Sequence, residues 1–235
     1  GNAVAVTVQR MLKENLKLPK VQVLIYPWLQ MLTFQLPSML AYSHTGLIHA
    51  TQIDLITYVS WYLGVQKKDY EVEKNLLANN HTLLIEDKQT RKLIESYLNT
   101  SQIPEEYRKG REYYKKEKRL FPDYELEDDH LFKRDPKFAK HFRMTIDPRV
   151  TPLFADHNDL IGLPKSYFLM IEWDSLKDEG MLYAERLRKA GVDVKIQFYE
   201  HGFHGMASLV SESTGYDLAK VMLNDLIEYL QFNLN

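Results

Sequence analysis

Two residues suited to proton transfer follow two predicted strands. Asp174 comes directly after the apolar run 167–173, and His204 comes shortly after the run 192–200. An aspartate that accepts a hydrogen bond from an imidazole fixes the ring's tautomer and stabilises its charged form, so the other ring nitrogen can act as a general base. The pair is therefore a candidate acid and base for nucleophilic catalysis.

The elements around these two residues predict a parallel sheet. Apolar periodicity, with glycine and proline at the ends of the periodic stretches, predicts helices at 3–16, 180–190 and 218–232 and strands at 21–26, 167–173 and 192–200. A strand, a helix and a second strand in succession give parallel strands whose carboxyl ends meet at one edge, about 4.8 Å apart. Asp174 and His204 are then one such unit apart and can reach each other.

Neighbouring residues offer alternatives for both positions. Asp178 and Glu179 lie close to Asp174 in the sequence, but they also suit the N-cap and first turn of the following helix, where negative charge complements the helix dipole. His201 precedes His204 by three residues and is a second candidate imidazole. Spacing alone leaves these alternatives open.

The composition argues against several other classes of site. The 235 residues carry a formal net charge of −2 and no cysteine, which removes thiolate sites and gives no overall attraction to nucleic acid. The basic run 108–119 contains Glu112 and Glu117, so we interpret it as the solvated face of a cap helix rather than a nucleic-acid surface. Clusters at 128–130 and 157–159 lack a second cluster at ligand spacing, and no metal or cofactor is expected.

An uncharged stretch from Val21 to Ile53 raises the question of a membrane span. Two prolines and several glutamine and histidine residues interrupt it, which favours a buried strand followed by a segment that lines a pocket. Apolar side chains of this segment suit an acyl or aryl group, and we predict that five of them line a substrate pocket: Trp28, Met31, Phe34, Met39 and Leu40. The alternative is that these five side chains fill the core below a cap.

Several short motifs resemble one branch of a known family. Asp-x-Leu-Lys-Asp-Glu-Gly at 174–180 and Gly-Phe-His-Gly at 202–205 resemble the acid and histidine loops of the hormone-sensitive-lipase branch of the α/β-hydrolases. Thr-Pro-Leu-Phe-Ala at 151–155, Leu-Pro at 163–164 and Tyr-Pro at 26–27 are similar to the same branch, and within it to arylacetamide deacetylase and its relatives.

This resemblance implies an α/β fold, with 1–235 as the C-terminal part of an α/β-hydrolase domain and 66–145 as a helical cap insertion. The family carries its nucleophile in Gly-Asp-Ser-x-Gly-Gly-Asn, and Gly1-Asn2 matches the last two residues of that motif. The serine is therefore expected three residues before Gly1, and the oxyanion loop further upstream. We expect the chain alone to be inactive because it lacks both.

The resemblance also assigns roles. It favours Asp174 over Asp178 and Glu179 as the residue that orients the imidazole, and His204 over His201 as the residue that carries the proton between serine and leaving group. The implied activity is serine-dependent hydrolysis of carboxylic esters or arylamides, with an apolar small-molecule ester or amide as substrate and no nucleic-acid partner. The alternative is a non-catalytic relative that binds a ligand or another protein.

Finally, the resemblance implies a compartment. Family relatives face the lumen of the endoplasmic reticulum and are held to its membrane by an N-terminal anchor. Asn80-His81-Thr82 and Asn99-Thr100-Ser101 fit the pattern of N-glycosylation acceptors, which suits that compartment. We therefore expect a lumenal glycoprotein of lipid metabolism whose anchor precedes this chain.

Overall fold

A parallel sheet forms the centre of the molecule. The computed structural model describes residues 1–44, 51–65, 70–115, 119–213 and 215–234. Across these residues three strands pair in parallel in the order β1-β2-β3, where β1 is Val21–Ile25, β2 is Lys165–Trp173 and β3 is Val194–Phe203. The carboxyl ends of all three strands therefore lie at the same edge.

Helices make up most of the remaining structure. Within the described residues they are α1 (Asn2–Lys13), α2 (Pro37–Tyr42), α3 (Gln52–Tyr62), α4 (Tyr70–Leu77), α5 (Lys88–Tyr97), α6 (Leu131–Arg134), α7 (Pro136–Arg143), α8 (His157–Leu160), α9 (Lys177–Lys189) and α10 (Asp217–Leu234). The long connection between β1 and β2 carries α2 to α8 together with short 3-10 turns.

The central strand separates two apolar layers because successive side chains of a strand point to opposite faces. Phe168 and Met170 of β2 belong to the larger core, which also contains side chains of α1 and α9. Tyr167 and Leu169 lie on the other face, in a smaller core shared with α10. Helices thus cover both faces of the sheet, and β2 is almost completely buried between them.

The predicted elements are present, with differences at their ends. The first helix ends at Lys13 rather than at residue 16, because Asn15 takes a left-handed conformation with φ of 53°. The helix predicted to start at residue 180 starts at Lys177. Gly191, with φ of 80°, follows its end as predicted. The strand predicted over 192–200 runs from Val194 to Phe203.

The stretch predicted as a cap, 66–145, is helical or irregular wherever the structure describes it. Its role as a separate cap stays a prediction. Among the described residues, no helix combines the length and the apolar character that crossing a bilayer requires.

Candidate active site

Asp174 is held rigidly in the loop that follows β2. Its side chain is fully buried. One carboxylate oxygen, Oδ1, accepts a hydrogen bond of 2.9 Å from the backbone N–H of Leu176. The backbone N–H of Lys177 in turn donates to the Asp174 carbonyl at 3.2 Å. The turn between β2 and α9 therefore fixes the direction of the carboxylate.

His204 lies in the corresponding loop after β3. Gly205, the next residue, has φ of +88°, a conformation that a residue with a side chain rarely adopts, and it turns the chain into a short 3-10 helix over Met206–Ser208. The imidazole Nδ1 lies 3.2 Å from Oδ1 and 3.1 Å from Oδ2 of Asp174. The predicted contact between the two side chains is present, and the 27% exposure of the His204 side chain leaves room for a reactant.

The protonation of His204 reflects two opposing effects. Burial lowers the pKa of the imidazole, but the negative charge of Asp174 and the hydrogen bond to it act in the other direction. The second pair of effects is larger, so the pKa of His204 lies above its ordinary value of 6.5. The site thus favours the imidazolium, as an acid–base histidine beside a carboxylate requires.

The alternative acids have other partners. Asp178 is not the N-cap, because α9 begins after Leu176 and Asp178 lies within its first turn, completely buried. Its carboxylate accepts a hydrogen bond of 2.8 Å from the backbone N–H of Ser38 and another from the Tyr113 hydroxyl. Burial raises the pKa of the Asp178 carboxyl.

Glu179, the residue after Asp178, also contacts the segment that follows β1. It is also buried, and it accepts hydrogen bonds from the backbone N–H of Leu29 and, at 3.0 Å, from the side chain of Gln30. Burial raises the pKa of the Glu179 carboxyl well above its ordinary value. Both acids therefore anchor the segment that follows β1.

His201 lies away from Asp174. Its side chain is 76% exposed, and its Nδ1 is 3.8 Å from a carboxylate oxygen of Glu172. The same carboxylate accepts a hydrogen bond of 3.0 Å from the His201 backbone N–H, and φ of 58° places this residue in the left-handed region. The structure brings His204 rather than His201 to Asp174, and the catalytic role of that pair stays a prediction.

The five residues predicted to line a pocket divide into two groups. Met31, Phe34 and Met39 are buried in the larger core, whereas Trp28 and Leu40 are half-buried. The location of the first group is the one expected if these side chains fill the core. A substrate-binding role for any of the five stays a prediction.

The interpretation of 108–119 as the solvated face of a helix is wrong for part of that run. Residues 111–114 form a 3-10 turn. Lys109 forms ion pairs with Glu200 at 2.5 Å and with Glu172 at 3.6 Å, and Tyr113 donates to the buried carboxylate of Asp178. Part of the run therefore attaches the connection between β1 and β2 to the edge that carries Asp174 and His204.

Lys177 is a completely buried cation that sequence reasoning did not single out as structurally important. Its ammonium donates a 3.0 Å hydrogen bond to the Tyr107 carbonyl and lies 5.4 Å from the ring centroids of Tyr42 and Tyr113. Burial lowers the pKa of Lys177 despite the nearby negative charges, of which Asp178 contributes most.

Among the described residues, no group of three or more histidine, cysteine, aspartate or glutamate side chains could hold a metal ion.

The start of α1 reaches the same edge. Gly1 is packed so closely against Pro27 that an added Cβ would lie 2.3 Å from the proline Cβ. Pro27 follows Tyr26 at the end of β1, and the ring centroid of Tyr26 lies 4.7 Å from that of His204. The amino end of α1 therefore lies at the same edge of the sheet as the imidazole.

Comparison with known proteins identifies the fold. Residues 114–208 match a family described as having the alpha/beta hydrolase fold. The chain is 30% identical to arylacetamide deacetylase of Bos taurus over 98% of its length, and 32% identical to neutral cholesterol ester hydrolase 1 of Pongo abelii over 95%. The chain has the alpha/beta hydrolase fold.

Solved structures support the same fold for this chain. A thermophilic carboxylesterase from a metagenomic library aligns with a TM-score of 0.56 and 19% identity over 98% of the chain and 51% of that enzyme. Carboxyl esterase 2 of Tuber melanosporum aligns with a TM-score of 0.55 and 16% identity over 98% of the chain and 50% of that enzyme. The chain also spans about half of the two relatives, 52% of the deacetylase and 49% of the ester hydrolase.

Proposed function

We propose that this chain is part of an α/β-hydrolase and contributes the acid and the histidine of a Ser-His-Asp triad that hydrolyses carboxylic esters or arylamides. The observation that carries the proposal is the hydrogen bond between Asp174 and His204 Nδ1 at the carboxyl ends of neighbouring parallel strands. That edge is where active sites of parallel α/β sheets form. The related deacetylase and ester hydrolase, by their names, act on substrates of this class.

In this proposal a serine in a segment preceding Gly1 supplies the nucleophile. The amino end of α1 packs against Pro27 at the edge that carries His204. The proposed partner of a serine shortly before that helix is Nε2, the ring nitrogen that Asp174 leaves available. The first N–H groups of a helix have no partner within it, and the amino end carries partial positive charge. Both properties favour negative charge developing on an oxygen at that position.

The proposed mechanism uses His204 twice. Nε2 takes the proton of the serine hydroxyl while its oxygen attacks the carbonyl carbon, and the resulting imidazolium donates that proton to the departing alcohol or amine. Water then attacks the carbonyl carbon of the acyl-serine while His204 takes a proton from the water. His204 returns that proton to the serine oxygen, the ester bond breaks, and the carboxylic acid leaves. Asp174 stabilises the imidazolium throughout.

We propose an apolar acyl or aryl group for the substrate. The support is the uncharged segment after β1, in which Trp28 and Leu40 remain half-buried and so retain surface that a ligand could contact. Aromatic and aliphatic side chains are the usual lining of such pockets.

The test uses an extended protein, defined as this chain preceded by its native upstream segment. The extended protein should hydrolyse p-nitrophenyl acetate, and a fluorophosphonate probe should label one serine in the upstream segment. This chain alone should show no turnover above its own His204→Ala control. Turnover by the chain alone that depends on His204 would contradict an upstream nucleophile. A folded extended protein that neither turns over ester nor accepts the probe would favour a non-catalytic binding role.

We further propose that the protein acts in lipid metabolism in the lumen of the endoplasmic reticulum, with a membrane anchor preceding this chain. The support is the family resemblance and the exposed acceptor Asn99. Protease protection of the extended protein in intact microsomes, lost on addition of detergent, is the expected result. Cleavage without detergent would contradict the lumenal location.

A further inference from the structure

Tyr26 has an unusual backbone conformation at the edge of the sheet that holds the site. It follows the last residue of β1, and its backbone N–H still donates a 2.8 Å hydrogen bond to the Leu169 carbonyl of β2. Its φ is 31°, in the left-handed region that a bulky side chain rarely occupies. Such a conformation persists only where the surroundings hold it, and it occurs most often at functional sites.

The tyrosine ring lies against the imidazole. The ring centroids of Tyr26 and His204 are 4.7 Å apart, with an angle of 56° between the ring planes. Asp174 contacts the edge of the imidazole through Nδ1, whereas Tyr26 packs against the ring itself. The two residues therefore restrict different movements of His204: the carboxylate fixes the direction of Nδ1, and the tyrosine limits rotation of the ring.

The Tyr26 hydroxyl reaches the turn after His204. It lies near Ser208 and Ala207 of that turn. Burial, followed by the charge of Asp174, raises the pKa of this hydroxyl, so it remains protonated at neutral pH. The hydroxyl is thus a neutral group beside the histidine turn.

Pro27 connects the same point to two helices. It is in tight contact with Gly1 at the start of α1, and its Cδ would lie 3.7 Å from a Cβ added to Gly180 of α9. Tyr26 and Pro27 therefore contact both the start of α1 and His204. The nucleophile is proposed to lie just before α1, and His204 would activate it.

We propose that Tyr26 is a positioning residue that fixes the imidazole of His204 relative to the start of α1. The inference rests on the proposed function, because it concerns the distance between His204 and the upstream serine. A residue that only filled space would require neither the left-handed backbone nor a hydroxyl directed at the histidine turn.

Steady-state kinetics of the extended protein test this role. Tyr26→Leu removes the ring and should lower kcat about 10- to 100-fold, the scale expected when a catalytic group is misplaced by a fraction of an ångström to an ångström, with KM changed less than about twofold. Tyr26→Phe keeps the ring and should retain most of that activity. Tyr199→Phe is the matched control because its hydroxyl donates to Asp225, and it should leave kcat unchanged.

The outcomes separate this inference from the proposed function. If wild-type turnover does not depend on His204, the proposed function fails before Tyr26 is considered. If it does, a folded Tyr26→Leu variant with kcat within twofold of wild type overturns the positioning role, as does a loss matched by Tyr199→Phe. Should Tyr26→Leu not fold, Tyr26→Met replaces it, because this change also removes the ring. It should lower kcat about threefold or more without changing KM, and an unchanged kcat would overturn the role.

Discussion

Asp174 places both carboxylate oxygens within 3.2 Å of Nδ1 of His204, so Nε2 is the ring nitrogen left to meet a reactant. The neutral histidine then carries its proton on Nδ1, where the carboxylate accepts a hydrogen bond from it. Replacing Asp174 with asparagine would allow the amide N–H to donate to Nδ1 and would hold the opposite tautomer.

We expect the losses in kcat of the extended protein to follow from that tautomer. Asp174→Asn should lower kcat about 10⁴-fold, and His204→Ala should lower it on the order of 10⁶-fold. His201→Ala is the matched control, because its exposed side chain lies beside Glu172, and its effect should be far smaller. Ester hydrolysis measured at saturating substrate gives the three values, and equal losses at His201 and His204 would contradict the choice between the two histidines.

The pH dependence of activity and of stability should follow the direction in which the His204 pKa is shifted. Because the folded pKa lies above 6.5, general-base activity should appear only as the pH rises through that higher value. The same interaction should stabilise the fold fully below pH 6.5, and this contribution should disappear as the pH rises through the folded pKa.

Asp174→Asn should move the His204 titration to lower pH, because burial, which lowers the pKa, then acts without the opposing carboxylate. Histidine Cε1–H signals followed by NMR against pH measure it in this chain, with His204→Ala identifying the signal. A titration midpoint that does not move would show that Asp174 is not the charge that His204 senses.

The buried cation should matter more for stability than the exposed one. Lys177→Met removes the hydrogen bond to the Tyr107 carbonyl and the nearest positive charge to Asp178, so we expect a loss on the order of 3 kcal/mol in the free energy of unfolding. Lys109→Met breaks a close ion pair with Glu200 that is open to solvent and a longer one, of 3.6 Å, with Glu172, and it should change the urea midpoint little. Urea unfolding followed by circular dichroism compares the two, and a larger effect at Lys109 would reverse this ranking.

The two glycosylation patterns should differ in use. Asn99 is exposed, and its side chain only caps a short 3-10 turn. By contrast, the side-chain N–H of Asn80 donates a 2.6 Å hydrogen bond to Asn75, and its side-chain oxygen accepts one from the Tyr124 hydroxyl. A glycan on Asn80 would disrupt this arrangement. After secretory expression, Asn99→Gln should lose the mass of one glycan and Asn80→Gln should lose none. The opposite result would show that the folded surroundings of Asn80 do not decide its modification.

The sequence predicts the unit from β2 through α9 to β3 because its pattern is local. Short apolar runs, a helix closed by Gly191 and residues that follow strand ends are enough to bring Asp174 and His204 together. The contact between Tyr26 and His204 has no such signal, since the two residues are far apart in the chain and only the sheet joins them. Charge also misleads: Lys177 is completely buried, which no charge pattern indicates.

The separation of β1 from β2 has a consequence for folding and for evolution. Residues 165–203 contain β2, α9 and β3 with only local connections, so this part can form early, whereas β1 must pair across residues 26–164. The entropy cost of closing so long a loop grows only logarithmically, and doubling its length would cost about 0.6 kcal/mol more. The intervening stretch is therefore free to change in length and content, and with it the substrates admitted, while the strand ends that hold Asp174 and His204 remain in place.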